Sequence, residues 1–523
     1  MPKQTLQPVA LQKRIQIIDI IRGFALFGIL IVNLTVDNRG LSPMEGRTGF
    51  FDQLVYWPIR FFLDDKFMAI FCFLFGLGFA IQMLRAKENN SNFIFVYMRR
   101  LVVLFLFGAF IKIFITGRGV LADYAMVGVI LLILYKLPRK ILPVLALICV
   151  IGIWARNTII QQSQIPTNIK KITVDTSILN TYAGVYQLTP TVRQIFIIKG
   201  NNLIGEGPER QYQLVAISDS EFYFAESRTK ITFIKDSIGK VTKYVAINPK
   251  GRKTKWEKVK PDVQIARKEQ LQRRRVVGVG QDALTYKQFV NRNATRFWGW
   301  LKFWSWKDFF LGFNISYILP LFLLGLYAGR RKVFSDISSN RVFLQNVMKW
   351  GLLIGMSTTG ITIGYTALNF INGNPNDFFY KPMPWYRLCW DLGVIIMALG
   401  IVAWLTLLIE KSDPIAIGWK KRFSFFIPVG RMGLTNYILL LAIADLFIMG
   451  DYGFGLAGKI GLFLRLMIAL AVFAFIALIS HWWFKRFKIG PAEWLWRSLT
   501  YLKFQPMRLK ASDKVEEKEN ENI

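Results

Sequence analysis

The recurrence of long apolar blocks is the feature that most constrains how this chain folds. A block of about 20 apolar residues crosses a bilayer as one helix. Of the 523 residues, 53% are apolar, which exceeds what a water-soluble chain of this length carries. Ten blocks predict ten spanning helices, at 15–34, 66–84, 100–116, 121–136, 140–157, 304–329, 346–370, 387–409, 424–449 and 460–484. We therefore predict an α-helical polytopic membrane protein whose termini share one side.

The distribution of Lys and Arg indicates which side holds the termini, because short cytoplasmic loops collect basic residues. The termini and the loops on their side carry the basic clusters: Lys13, Arg14, Arg85, Lys87, Arg99, Arg100, Lys136, Arg139, Lys140, Arg330, Arg331, Lys332, Lys420, Lys421, Arg422, Lys485, Arg486 and Lys488. Both termini are therefore predicted to be cytoplasmic. The formal charge of +34 is largely topological, and no nucleic-acid partner is expected.

A segment at 165–262 has a different pattern from the rest of the chain. Runs such as RQIFIIKG and KITFIKD alternate apolar and polar residues between turn residues, as strands with one buried face do. We predict a small, barrel-like, extracytoplasmic all-β domain there, inserted between membrane halves at 1–160 and 304–505. A basic linker and helix at 263–303 follow the domain, and residues 506–523 form a charged cytoplasmic tail.

The predicted extracytoplasmic segment is itself basic, with 24 Lys and Arg against 11 Asp and Glu over residues 161–300. Long loops are exempt from the charge rule, so this excess does not invert the topology. Two interpretations remain open: attraction to anionic lipid or a surface polymer, and a solvated basic face, which is the more common case.

Metal ligands are scarce in this sequence. Cys72, Cys149 and Cys389 each lie inside an apolar block, and His481 is the single histidine. These residues cannot build a disulfide framework, a cysteine-based zinc site or a multi-histidine site, so no metal is expected. His481 lies near the predicted cytoplasmic end of the last span, where an interface role is more common than a catalytic one.

Charged side chains within spans cost about 3 kcal/mol each on insertion scales, so they usually pair or serve a function. They fall into two layers. The inner layer contains Asp19, Arg22, Arg431 and the polar Asn436, with Glu493 and Arg497 just after the tenth span, and the outer layer contains Lys66, Lys112, Asp123, Arg387, Asp391 and Asp445.

Two pairs, Asp19 with Arg22 and Arg387 with Asp391, have helical spacing that lets them interact. Each is open to two interpretations: a structural ion pair, or a fixed cation directed at a phosphate or substrate.

Four motifs carry a resemblance to a known family: IDIIRGFALFGILIVN in the first span, FCFLFGLGFAIQMLR at 71–85, VGRMGLTNY at 429–437 and FKIGPAEWLWRSLTY at 487–501. In order and spacing they resemble the YeiB-like family of bacterial inner-membrane proteins, over roughly 1–157 and 300–505. That family is similar to the transmembrane acyltransferases, which include heparan-α-glucosaminide N-acetyltransferase. The resemblance implies transfer of an acyl group from cytoplasmic acyl-CoA to an extracytoplasmic glycan or lipid acceptor.

The resemblance also implies roles for individual residues. Its motifs assign acyl-CoA binding to Asp19, Arg22, Gly23, Arg431, Asn436, Glu493 and Arg497. Arg22 would contact a phosphate in bidentate geometry, Asp19 would orient it, and Gly23 would admit a neighbouring helix or the ligand. For catalysis on the outer side, the polar residues of the outer layer supply the candidates Asp123, Arg387 and Asp391. In the second span, Gly76 and Gly78 are predicted to permit close helix packing.

The sequence departs from the family pattern on the outer side. Related acyltransferases tend to use a membrane-embedded histidine as base, whereas the outer layer of this sequence contains no histidine. In addition, Gly119 stands where the family has Asp. Asp123, one helical turn further on, is the candidate substitute, since burial can raise a carboxylate pKa towards neutrality. The β segment is similar to the lipocalin-like domain appended to some serine-β-lactamase-like hydrolases, which implies a docking module or an inert spacer.

Two rival functions remain beside the acyltransferase. Polar layers inside a helical bundle also mark solute paths, so a transporter or lipid-handling protein is the first alternative. A non-catalytic membrane scaffold whose β-domain binds a partner is the second. Membrane lipids are expected partners in every case, and the oligomeric state is not predicted.

Overall fold

A computed structural model describes most of the chain: residues 15–36, 49–88, 93–117, 119–162, 172–189, 192–206, 211–224, 229–247, 253–259, 285–302, 313–371, 384–410, 414–450, 453–456 and 460–509. The fold is mostly helical, with one β-domain inserted between two groups of helices. The tail predicted at 506–523 and the linker before residue 285 lie mainly outside the described residues.

Helices coincide with all ten apolar blocks. The first group contains α1 (Gln16–Thr35), α2 (Phe50–Pro58, continued by a π-helical turn Ile59–Leu63), α3 (Lys66–Glu88), α4 (Phe93–Phe110, continued by Ile111–Ile115), α5 (Leu121–Leu134) and α6 (Ile141–Gln162). Before the barrel comes α7 (Thr176–Tyr182), and after it α8 (Tyr286–Lys302). The second group contains α9 (Phe313–Arg330), α10 (Arg341–Ile371), α11 (Pro384–Glu410), α12 (Pro414–Phe423), α13 (Phe426–Arg431), α14 (Gly433–Leu441, continued by Ala442–Ile448), α15 (Leu462–Phe484) and α16 (Pro491–Tyr501).

Six of the described helical segments are long and apolar enough to cross a membrane: Gln16–Thr35, Phe50–Glu88, Phe93–Ile115, Arg341–Leu368, Trp385–Glu410 and Leu462–Phe484. Four further apolar helices are shorter: Leu121–Leu134, Ile141–Gly152, Tyr317–Arg330 and Gly433–Ile448. The membrane character of the chain follows from these helices, whereas a count of ten spans stays a prediction.

The ninth block is not the single helix that the sequence predicts. It is divided at Met432 into α13 and α14, and a π-helical turn completes it. The chain can break there because Glu493, from α16, accepts hydrogen bonds from the first backbone amides of α14. Hydrophobic periodicity does not record such a distant partner.

Glycines set how closely the helices approach. A Cβ on Gly76 would overlap with the backbone of Phe322 in α9, so close packing at this glycine is confirmed. The same prediction is wrong for Gly78, where a Cβ would meet nothing within 4 Å. Gly78 faces open space because it lines a cavity.

The inserted domain is a closed barrel of eight antiparallel strands in sequence order, with β1 paired to both β2 and β8. The strands are β1 Gly184–Thr189, β2 Val192–Lys199, β3 Asn202–Glu206, β4 Gln211–Ala216, β5 Glu221–Phe224, β6 Lys230–Lys235, β7 Val241–Ile247 and β8 Lys253–Val259. Large aromatic side chains fill its interior, including Tyr186, Phe196, Phe222, Phe233 and Tyr244. The predicted inserted all-β domain is therefore confirmed.

Candidate functional site

A cavity of about 290 Å³ lies between α1, α3, α4, α14 and α16. Five arginines line it, and we name it the arginine cavity after them: Arg22, Arg85, Arg100, Arg431 and Arg497. The acidic residues that line it are Asp19 and Glu493. Cations therefore outnumber anions at this surface, and a ligand with several negative charges would balance them.

The cavity changes character along its length. Its lining residues on α3 run from Arg85 to Phe71, which is about 21 Å along the helix axis. Phe71, Leu74, Phe75, Leu104 and Leu121 make the end far from Arg85 apolar. The cavity thus suits an amphiphile that carries anionic groups at one end and an apolar chain at the other.

Arg22 forms the ion pair that its spacing allows, and the second interpretation, a cation directed at a phosphate, stays a prediction. Its Nη1 donates to Asp19 Oδ1 at 2.8 Å and lies 3.5 Å from the Gly430 carbonyl oxygen. About 31% of its side chain nevertheless stays exposed at the cavity. The ion pair therefore orients the guanidinium and leaves part of it available to a ligand.

Gly23 serves helix packing. A Cβ on Gly23 would overlap with the carbonyl oxygen of Phe426, and one on Gly430 would overlap with that of Asp19. The two glycines bring α1 against α13, which places Arg22 beside the break at Met432. Of the two roles that the sequence left open for Gly23, the structure supports approach of a neighbouring helix.

Glu493 anchors the broken ninth helix. Its carboxylate accepts hydrogen bonds from the backbone amide of Leu434 at 2.5 Å, the amide of Thr435 at 3.1 Å and the Thr435 hydroxyl at 2.6 Å. A carboxylate at a helix N-terminus is favoured by the unpaired amides and by the helix dipole. Its oxygens are therefore engaged in holding α16 against α14.

Asn436 ties the same region together from another side. Its amide nitrogen donates to the Val429 carbonyl at 3.0 Å and to the Ser480 hydroxyl at 2.9 Å. These contacts join α14 to α13 and α15. Asn436 is not among the residues that line the arginine cavity.

Three further arginines, Arg431, Arg100 and Arg497, reach the cavity from α13, α4 and α16. The Arg431 guanidinium lies 4.1 Å from the centre of the Phe484 ring, and its Nη2 is 3.5 Å from the Lys488 carbonyl oxygen. Arg100 stacks on Trp496 at 4.2 Å, and the Trp496 indole donates to the Arg100 carbonyl at 3.2 Å. Burial lowers the pKa of Arg497, which α16 carries beside Glu493.

Sequence reasoning missed Arg85 and Arg100 as site residues, because it counted both among the loop charges that set topology. In the structure Arg85 lies in the last turn of α3 and Arg100 lies inside α4, about two turns from its start, and both line the cavity. Their positions within helices, on faces shared with lining apolar residues, were the signal that could have identified them.

The three predicted catalytic residues are divided between two polar groups. Asp123 pairs with Lys112 at 2.9 Å, whereas Arg387 Nε lies 3.4 Å from Asp391 Oδ2. Asp123 is close to the apolar end of the cavity, because Leu121 and Tyr124 of the same helical turn line it. Asp445, which accepts a hydrogen bond from Thr116, lies at the neighbouring end of α4.

Arg387 and Asp391 adjoin a charged cluster that sequence reasoning did not assemble. We name it the outer cluster, formed by Arg60, Asp64, Asp65, Lys66 and Trp390. Arg60 pairs with Asp64. Lys66 Nζ donates to the Arg60 carbonyl at 3.2 Å and lies 4.4 Å from the centre of the Trp390 ring. The Trp390 indole donates to Asp65 at 3.0 Å. In the sequence, Asp64 and Asp65 come just before the second apolar block, a position that is typical of loop residues.

His481 is consistent with an interface residue. Its Nδ1 lies 2.8 Å from the Ala477 carbonyl oxygen, and its ring stacks on Phe425 with centres 5.0 Å apart. Within the described parts of the chain, no group of three or more His, Cys, Asp or Glu side chains could hold a metal ion.

Together these features define a class: a helical membrane protein with an inserted β-barrel and an arginine-lined cavity between its helices. Residues 328–503 match a family described as "Protein of unknown function (DUF418)". The match contains Arg431, Glu493 and Arg497 of the cavity, together with Arg387 and Asp391.

Two relatives carry no described activity. The uncharacterized protein YxaH of Bacillus subtilis (strain 168) is 26% identical over 516 residues, which are 97% of this chain and 99% of the relative. An uncharacterized 39.9 kDa protein in the amylase 3′ region of Bacillus acidopullulyticus is 36% identical over 140 residues, 26% of this chain and 38% of that protein. No solved structure matches the chain. The similarity to YxaH thus extends over both helical groups and the barrel.

Proposed function

We propose that this chain is an acyl-CoA-dependent transmembrane acyltransferase of the bacterial cytoplasmic membrane. The observation that carries the proposal is the arginine cavity, which combines five guanidinium groups with an apolar end. Acyl-CoA has the matching chemistry, since its phosphates are concentrated at one end and its acyl chain is apolar. Arginine suits phosphate because its planar fork can donate two parallel hydrogen bonds.

The donor would bind with its phosphates at Arg22, Arg431 and Arg497, the residues that the family resemblance also points to. Arg85 and Arg100 extend this basic surface towards the ends of α3 and α4. The acyl chain would lie along Phe71, Phe75 and Leu104. Asp19 and Glu493 orient the site, the first through Arg22 and the second through the start of α14.

The chemical step needs a base for the acceptor. A hydroxyl or amine of a glycan or lipid attacks the thioester carbonyl, a carboxylate takes the acceptor's proton, and CoA leaves as the thiolate. Asp123 is the favoured base among the three outer candidates because its helical turn lines the cavity. Arg387 and Asp391 then belong to the acceptor's approach from the opposite side of the membrane.

Interhelical contacts support the topology that this reaction requires. Arg330 donates to the Leu137 carbonyl and Trp496 to that of Arg100, which joins elements predicted to be cytoplasmic. At the other end, Asp52 accepts from the Phe463 amide, Tyr317 donates to the Asp65 carbonyl and Tyr286 donates to that of Phe114. If ten spans alternate in direction and both termini are cytoplasmic, the residues of the first set of contacts lie on the cytoplasmic side and those of the second set lie on the opposite side.

A transporter is the second candidate, and the break at Met432 favours it. Discontinuous helices beside a charged cavity are typical of substrate sites in transporters. Here α13 ends and α14 begins beside Arg22 and Glu493. In this alternative the same cavity would bind an anionic amphiphile that is moved without covalent change.

The discriminating experiment uses the full-length chain in nanodiscs with a bacterial lipid extract, long-chain acyl-CoA and a thiol reagent that reports released CoA. The acyltransferase proposal predicts thiol release that falls about 100-fold or more in Asp123→Asn, because general base catalysis contributes about that much. Asp391→Asn is the comparison variant. Flux of an anionic amphiphile into liposomes, with no thiol released, would instead favour the transporter.

A further inference from the structure

The helix that follows the barrel, α8, is fixed against one end of α4. The Tyr286 hydroxyl donates to the Phe114 carbonyl at 2.9 Å, and the Asn293 amide donates to that of Ile113 at 3.3 Å. Phe297 is buried and its ring lies 6.1 Å from that of Phe105. Helical periodicity places Tyr286, Asn293 and Phe297 on one face, so this face is the one that contacts the bundle.

The contact is specific in its backbone geometry. Gly117, just beyond α4, has a φ of +68°, and a Cβ there would lie 2.8 Å from Asn293 Oδ1. Lys112 of the π-helical turn lies 4.3 Å above the Trp300 ring. Because Phe93–Ile115 is a candidate membrane helix, α8 is held at the level where that helix ends.

The remaining surface of α8 is basic and contains an exposed tryptophan. Its 17 residues include no Asp or Glu. Lys287 and Arg296 are exposed, Arg292 is half-buried and Trp298 is 59% exposed. Tryptophan prefers the boundary between headgroups and acyl chains, and basic side chains beside it are attracted to anionic headgroups.

We propose that α8 is a membrane-surface helix whose partner is the anionic phospholipid headgroup of the leaflet in which it lies. The presence of an exposed indole on a helix whose charged residues are all basic favours lipid over a soluble polyanion, because a soluble partner would leave the indole in water. The inference is independent of the acyltransferase proposal, since it depends only on the place of α8 at the end of a membrane helix.

The test is retention of phosphatidylglycerol by the full-length chain, measured by native mass spectrometry after titration of that lipid into phosphatidylcholine nanodiscs. The variant Lys287→Gln/Arg292→Gln/Arg296→Gln should bind phosphatidylglycerol on the order of 100-fold more weakly, since each basic residue near an anionic surface contributes roughly fivefold. The single variant Arg296→Gln changes an exposed side chain and should weaken binding roughly fivefold.

The matched control is Lys240→Gln/Lys253→Gln/Lys255→Gln, which removes three exposed charges from the barrel. It should leave retention unchanged. An equal loss in this control would reduce the effect to general electrostatics and overturn the proposal, as would unchanged retention in the α8 variants. Displacement of the lipid by soluble glycerophosphoglycerol at equal concentration would also overturn the proposal. Such displacement would indicate that the site binds the phosphate alone and that the membrane adds nothing to the affinity.

Discussion

The arginine cavity and the outer cluster both contain cations within the helical bundle, but their charges are balanced differently. In the cavity five arginines face two acids, and one of these, Glu493, is engaged at the start of α14. In the outer cluster Arg60 is paired with Asp64, and Lys66 lies between the Arg60 carbonyl and the Trp390 ring. A surplus of cations beside open space favours binding of an anionic ligand, whereas a charge-balanced cluster around a buried cation stabilises the fold.

The cations of the two regions also differ in how much of the side chain is exposed. Lys66 is fully buried, at 0% exposure, whereas Arg22 keeps nearly a third of its side chain accessible. Charge in a membrane helix therefore does not identify a binding site by itself. The presence of accessible, incompletely balanced charge is the more informative property.

The largest expected effect on stability is in the outer cluster. Lys66→Met removes the charged hydrogen bond to the Arg60 carbonyl and the buried cation–π contact with Trp390, and we expect the two losses together to destabilise the protein by about 3–5 kcal/mol. Unfolding in mixed micelles measures this. Lys140→Met, at an exposed lysine, is the control and should leave stability unchanged. A loss in Lys66→Met no larger than in the control would show that the cluster is not structural.

Glu493→Ala tests whether an acid of the cavity serves the fold. It removes the acceptor of two backbone amides and one hydroxyl, so we expect a loss of about 2–3 kcal/mol in unfolding free energy. Glu493→Gln keeps one carbonyl acceptor and should lose roughly half as much. If both variants keep wild-type stability while losing ligand affinity, Glu493 belongs to the ligand site.

The pair Gly76→Ala and Gly78→Ala compares a packed with an open position on one helix. A Cβ at residue 76 meets the Phe322 backbone, so we expect a loss of about 1–3 kcal/mol from overpacking. A Cβ at residue 78 enters the cavity and should leave stability nearly unchanged. Thermal unfolding of the two variants side by side measures the difference, and equal midpoints would contradict the assignment of Gly78 to the cavity.

Much of the fold could be predicted because apolar blocks and period-two alternation are local signals. All ten blocks coincide with helices, and the alternating segment forms the barrel strands. The break at Met432 could not be predicted in this way, because it depends on Glu493, which is about sixty residues distant in the chain. An apolar block can be buried whether its helix is continuous or broken, so its apolar composition does not indicate a break.

The candidate site was only partly predictable for a related reason. Motif resemblance pointed to Arg22, Arg431 and Arg497, and all three line the cavity. Arg85 and Arg100 look in sequence like the other basic residues near predicted helix ends, and the packing of α3, α4 and α16 brings them to the cavity. Asp65 is similar, because its partner Trp390 comes from a distant helix.

The central claim is that the arginine cavity, and not the Arg387–Asp391 pair beside the outer cluster, binds an anionic donor. Its most direct test is a titration of acyl-CoA against wild type, Arg22→Lys and Arg387→Lys in nanodiscs, with folding checked for each. Lysine keeps the charge but cannot make the bidentate contact, so Arg22→Lys should bind roughly 10- to 150-fold more weakly, which corresponds to about 1.5–3 kcal/mol. Arg387→Lys should bind as wild type does. Equal affinities for wild type and Arg22→Lys, with both proteins folded, would contradict the account.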